Sequence, residues 1–384
     1  MLTNTDIAEL TTFRRQLHQY PELSGQEVTT AATITTALTA LSPTSVVTRL
    51  GGHGVAAILD SGQAGPTVLF RAELDALPIV EESGVVWTSC IPGKAHLCGH
   101  DGHMTMLLGL ARLLCRHPVE CGRIVLMFQP AEEDGSGARA VVADPRYGDM
   151  APDWAFAIHN EPGLPFGYVG TRDGLINCAS RGLAIRIEGR ASHAAEPELA
   201  LSPVGLFGEI ISLLESLGRG GPLDEAFRLA TVTHVNAGEQ SFGITPGNGE
   251  VWVTLRASSD DGVDDMEAAA RREIASLVRQ TGLRVTFSRH DDFAASINDV
   301  EAVAVAIKAL DALGIPHGSD GVPMRASEDF GVFGWQASSA MLCLGPGADH
   351  PALHQPDYDF PDDLIPIGTR IFEAIARHLC RPDN

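Results

Sequence analysis

Residues 123–134 read RIVLMFQPAEED: five apolar residues in an unbroken run, then Gln129 and Pro130, then the adjacent acids Glu132 and Glu133. A strand with one wet face alternates polar and apolar residues, whereas an uninterrupted apolar strand is covered on both faces, as in parallel sheets flanked by helices. Four other stretches share the pattern and lie between glycines and prolines: VAAILD (55–60), TVLFRAELD (67–75), WAFAIHN (154–160) and AMLCLG (340–345). Between them, MTMLLGLARLLCR (104–116) is apolar almost all round, which reads as a buried helix. Residues 4–19 place Ile7, Leu10, Phe13 and Leu17 at helical spacing, and this helix ends at Tyr20–Pro21. The expected class is α/β, a largely parallel sheet covered by helices.

The middle of the chain follows a different rule. LAIRIEGR (183–190), LATVTHVNAG (229–238) and EVWVTLRA (250–257) alternate, as strands with one solvated face do, and helical stretches accompany them at 203–217 and 262–279. The buried-strand and helix style returns at 299–314, at 340–345 and in the closing helix 363–379. This predicts one domain in two pieces, 1–180 and 295–384, interrupted by a smaller α+β domain at 181–294 with a four-stranded antiparallel sheet. A chain of 384 residues suits two domains of that size.

Composition narrows the partners. Forty-nine acids against 27 Lys and Arg give a net charge of −22, which disfavours nucleic acid and anionic membranes and favours cations. No apolar run approaches a membrane span, and the start shows no basic cap with an apolar core of the secretory type. Seven cysteines, from Cys90 to Cys380, form no disulfide framework. A reducing cytoplasm is the expected compartment.

In open α/β sheets ligands bind beyond the carboxyl ends of the strands, and the polar clusters fall there. TVLFRAELDALP ends in Arg71, Glu73 and Asp75; LMFQP delivers Glu132 and Glu133; WAFAIHN delivers His159. AHLCGHDGHM (95–104) packs Cys98, His96, His100, His103 and Asp101 before the buried helix, and GADHPALHQPDYDF offers His350 and His354. Imidazole, thiolate and carboxylate on successive strand ends suit one or two divalent transition metals. No second Cys-x-x-Cys pair closes a structural zinc site, and no thiol stands at redox spacing from Cys98. His53, His117, His234, His290 and His378 read as isolated surface or core residues, and an EE pair alone is usually a solvated face.

HQYPELSGQE (18–27), RAELDALP (71–78), CGHDGH (98–103), QPAEE (129–133), GRASHAAEP (189–197), ASEDFG (326–331) and LHQPDYDF (353–360) occur in this order. Together they resemble the di-metal aminoacylase and carboxypeptidase family, in the branch of hippurate hydrolases, N-acyl-amino-acid amidohydrolases and indole-acetyl-amino-acid hydrolases. The resemblance covers essentially the whole chain. It implies a catalytic domain (1–180 and 295–384) carrying a di-metal centre, with 181–294 as a lid or dimerisation domain. It further implies that Cys98, His100, Glu133, His159 and His354 bind two divalent ions (zinc, manganese, nickel or cobalt), the Cys98 thiolate bridging. Glu132 is then the general base, and His193 the histidine that reaches the substrate carbonyl, in dimeric relatives from the neighbouring subunit. Asp75, Asp101 and His103 become supporting groups that orient ligands.

By resemblance the reaction is hydrolysis of N-acyl amino acids to a carboxylate and a free amino acid, in a cytoplasmic homodimer or homotetramer. The alternative is a dipeptidase or carboxypeptidase using the same chemistry; a binding protein on a degenerate hydrolase fold would be expected to have lost a ligand or the base. Three departures stand out. Glu73 replaces the usual aspartate, Gly243 stands where the family has an asparagine that helps bind substrate, and His350 competes with His354 as a ligand.

Overall fold

Helix α1 (Asn4–Gln19) starts at a capping box, in which the Thr3 hydroxyl accepts from the Asp6 amide while the Asp6 carboxylate accepts from the Thr3 amide. The computed structural model describes residues 1–382. Helix α2 (Val28–Ala40) has the threonine-rich sequence VTTAATITTALTA, a poor helix former by composition. It folds because Thr30, Ile34 and Leu38 bury one face, and because Thr33, Thr35, Thr36 and Thr39 turn their hydroxyls onto carbonyls four residues back. The Glu22 carboxylate accepts from the Thr29 and Thr30 amides and caps its first turn.

The chain continues through β1 (Ser45–Leu50), β2 (Gly54–Asp60), β3 (Thr67–Glu73), α3 (His100–Arg116), β4 (Arg123–Gln129), α4 (Gly137–Ala143) and β5 (Trp154–Asn160). Then follow β6 (Ala179–Glu188), α5 (Val204–Ser216), β7 (Arg228–Ala237), β8 (Asn248–Ala257), α6 (Asp260–Arg279) and β9 (Arg284–Phe293). Last come α7 (Val300–Leu313), β10 (Ser338–Leu344) and α8 (Leu364–Leu379).

Two compact units result. The first comprises Met1–Ile176, Ser296–Pro323 and the chain from Glu328 onward; the second comprises Asn177–Ala295 and Met324–Ser327. In the first, an eight-stranded sheet has the order β1, β2, β4, β3, β5, β10 and two short edge strands at Val169–Gly170 and His317–Gly318. Its centre, β4-β3-β5-β10, is parallel throughout, while β1, β2 and the Val169 strand add antiparallel neighbours at the margins. Glu73 pairs with Gln129 and Asn160 with Leu344, so the central strands end along one edge. The largely parallel reading holds at the centre of the sheet, where buried Phe70 packs between Phe156 and Phe372.

In the second unit the order is β7-β8-β6-β9, antiparallel at every pairing, with the alternating burial that sequence periodicity predicts. Among the described residues, no helix is long and apolar enough to cross a membrane.

Candidate metal centre

The edge where the central strands end gathers the polar side chains. Helix α3 begins one turn earlier than its apolar stretch, so His100 is its first residue and Cys98 lies just outside. Gly99 makes that corner with φ +94, and a Cβ there would lie 1.9 Å from Asn160 Oδ1, so only glycine lets the Cys98–His100 turn approach β5. Two other site positions adopt the left-handed region without being glycine: Ala131 (φ 50), immediately before the glutamate pair, and His354 (φ 66). Such conformations persist where surrounding bonds over-determine them, and they concentrate at functional sites. The Ala131 amide donates to buried Glu27 (2.8 Å), and the His354 amide donates to Leu97 O (2.9 Å).

Of the five trios of ligand atoms whose members lie within 4.8 Å of one another among the described residues, two hold a cysteine: Cys98, His100 and His159, and Cys98, Glu133 and His354. Both contain the Cys98 sulfur. His159 Nε2 lies 3.4 Å from it; His100 Nε2 lies 3.7 Å from Glu133 and 3.9 Å from Glu132; His354 Nε2 lies 3.7 Å from Glu133. A backbone carbonyl can only accept, so the Nδ1–H of His100 is fixed on Asp75 O (2.8 Å) and that of His159 on Asn160 O (2.7 Å). Both rings therefore turn the unprotonated Nε2 and its lone pair inward, the arrangement of metal-binding histidines whose other nitrogen is held by an acceptor.

Two of the inward atoms lack partners. His100 Nε2 and Glu133 Oε1 are buried and make no hydrogen bond. Buried polar groups are rarely left so, since an unsatisfied one costs about 1–3 kcal/mol. Burial, together with Glu133 and Glu132, pushes the Cys98 thiol well above its ordinary value. Burial, then Glu328, Glu133 and Asp329, raises Glu132 against the pull of Arg71, and burial lifts Glu133 to about 7. His100 rises to about 10, because Asp75, Glu73 and Glu133 overcome the opposite effect of burial. Acids and a thiol crowded this way need positive charge between them, and a cation reverses each of these preferences. Sulfur, imidazole and carboxylate donors fit divalent transition ions, and two trios accommodate two.

The supporting residues divide. Asp75 accepts from the Glu133 amide (2.9 Å) and Ser24 (2.7 Å) and so fixes the glutamate turn. His103 bridges Glu73 and Asn160, both at 2.8 Å, which is the use made of the glutamate at position 73. Asp101, expected to orient a ligand, turns the other way: its carboxylate takes His18 Nδ1 (2.8 Å) and Arg14 Nη1 (3.2 Å) on α1. His350 sets its Nδ1 3.2 Å from Pro351 O and packs on Tyr358, outside both trios.

His193 belongs to the second unit, where it is exposed on a short ribbon opposite Ile244. Gly243 O accepts from Ala194 N on that same ribbon, so the two positions singled out there are neighbours.

The sequence reading gave no role to the bed beneath Glu132. Buried Arg71 donates to Gln129 (2.8 Å), Glu328 (2.9 Å) and Asp329 (2.8 Å), and it also pairs with Glu73. Oxygens of Glu132, Glu328 and Asp329 lie within 4.8 Å of one another. The only signal was that RAELDALP and ASEDFG both recur in the resembled family; nothing in either says that they meet.

Residues 69–378 match the family described as Peptidase family M20/M25/M40. The chain is 30% identical over 376 residues to the IAA-amino acid hydrolase ILR1-like 5 of Arabidopsis thaliana, covering 94% of this chain and 85% of that one. It is 28% identical over 370 residues to the N-acetylcysteine deacetylase of Bacillus subtilis, covering 96% of each. Among solved structures, a dinuclear metal-binding peptidase of Bacillus subtilis superposes with a TM-score of 0.80 at 25% identity, covering 98% of this chain and 99% of that one.

Proposed function

Since the chain belongs to peptidase family M20/M25/M40, we propose that it hydrolyses N-acyl amino acids to a carboxylate and a free amino acid. It is a metal-dependent amidohydrolase, and its relatives include a deacetylase of an N-acetyl amino acid and a hydrolase of amino-acid conjugates. The observation that carries the site assignment is the pair of trios sharing one sulfur beside a buried, unassigned glutamate.

In this reading Cys98, His100 and His159 hold one divalent cation, and Cys98, Glu133 and His354 hold the other, with the thiolate common to both. Two divalent cations held by these residues would supply Lewis acidity toward the scissile carbonyl and would bring the pKa of water to about 7. A soft thiolate favours zinc-like transition ions over magnesium. Glu132 takes the proton of the attacking water and returns it to the leaving amine, a task that needs a carboxyl poised near neutrality. Burial beside Glu328 and Asp329 favours the protonated form of that carboxyl, against the pull of Arg71. His193 supplies an N–H to the carbonyl oxygen as charge develops on it. We assign the chain to the cytoplasm, working as a homodimer in which His193 serves the neighbouring subunit.

A panel of N-acetyl, N-benzoyl and longer N-acyl amino acids, with added manganese, zinc or cobalt, tests the assignment. Turnover of none of them overturns it; cleavage of dipeptides alone moves the chain to the peptidase alternative.

A further inference from the structure

Helix α1 carries none of the proposed ligands, yet it holds two segments that do. Arg14 is fully buried and bonds Asp362 through Nε (2.8 Å) and Asp359 and Asp101 through Nη1 (2.6 and 3.2 Å). Asp101 follows His100 directly, whereas Asp359 and Asp362 lie downstream of His354 on its own segment. One guanidinium therefore ties the start of α3 to the segment bearing His354. His18 also meets Asp101 and Arg15 also meets Asp362, but Arg14 bonds all three carboxylates, because the planar fork of arginine reaches several at once where an ammonium cannot.

We infer that Arg14 is a positioning residue that sets the distance between the His100 and His354 sides of the centre, and so governs one cation rather than both. The inference rests on the metal reading above. Its selectivity comes from how each trio is anchored. His100 and His159 are locked by their Nδ1 bonds to Asp75 O and Asn160 O, which owe nothing to α1. His354 has no such bond; its backbone sits at φ 66 with its amide on the Leu97 carbonyl just before α3, and its segment is held by Arg14 together with Arg15 on Asp362, Trp87 on Asp359 and Phe360 against His103. Loosening that segment withdraws His354 from Cys98 and Glu133 and leaves the other trio as it was.

The test is calorimetric titration of the full, metal-stripped chain with manganese(II), with thermal melting measured alongside. Wild type takes up two ions per chain. Arg14→Lys is expected to keep one at wild-type affinity and to weaken the other about 10–100-fold, the usual effect of losing a group that orients a ligand. Asp359→Asn, which spares the buried cation, is expected to shift the same ion in the same direction and decides the question if the lysine variant fails to fold. Two ions at unchanged affinity in folded variants overturn the inference. So does equal weakening of both ions in step with the melting temperature, which makes Arg14 merely structural. A wild-type chain that takes up no manganese overturns the metal reading itself.

Discussion

The two units each bury a glutamate and treat it in opposite ways. In the second, Glu267 is nearly inaccessible and receives Arg181 (2.6 Å), Arg271 (2.6 Å) and Arg289 (2.9 Å). Burial alone would raise its pKa, but the three guanidiniums win and hold it below the ordinary carboxylate value. In the first, Glu132 is buried and Glu133 nearly so, and the ligand-type groups around the pair are each other, Glu328, Asp329, two histidines and a thiol. Both of their pKa values move up. Burial is common to the two; the sign of the surrounding charge is what differs. A carboxylate fully paired by protein cations is part of the framework, and carboxylates left facing one another mark where a cation from solution belongs.

The largest expected effect breaks the comparison at Glu132. Glu132→Gln keeps the shape and removes the proton carrier, so kcat should fall by about 10²–10⁴-fold while metal analysis still finds two ions per chain. Near-normal turnover would refute its role as base. His193→Ala, on the second unit, should lower kcat about 10²–10³-fold with metal content unchanged. Mixing it with Glu132→Gln should restore part of the activity if the residue serves a neighbouring subunit, and no recovery argues against that arrangement.

Cys98→Ala addresses the sulfur common to both trios. Its metal content should drop below two ions per chain, and full occupancy would reject the bridge. The smallest effect sharpens the other side of the contrast: Glu267→Gln should cost about 1–3 kcal/mol in urea unfolding and leave metal content alone. Because the folded pKa of Glu267 lies below its ordinary 4.5, its stabilisation is present above that value and fades as pH falls through the folded pKa. The variant should therefore lose stability less steeply than wild type below pH 4.5, and parallel profiles would show that Glu267 contributes nothing there.

Much of this was legible in the chain. The uninterrupted apolar runs gave the central parallel strands because burial on both faces leaves no room for polar alternation. The antiparallel sheet announced itself through the opposite habit. Helix α2 was not legible, since its threonines satisfy their hydroxyls only once the helix exists. Edge strand β1, with only Leu50 buried, carried no apolar pattern to read.

By itself the sequence determined the α/β class and named the candidate donors, one thiol, three imidazoles and a glutamate, with a second glutamate beside them. Those are matters of residue type and period. Tertiary structure alone decided that Nε2 rather than Nδ1 faces inward, that Asp101 serves α1 instead of a ligand, and that Arg71 gathers Glu328 and Asp329 from more than 250 positions away. The reason is one of scale. Hydrogen bonds and ligand spacings are settled within a few tenths of an ångström, and only a folded backbone holds distant residues to that tolerance.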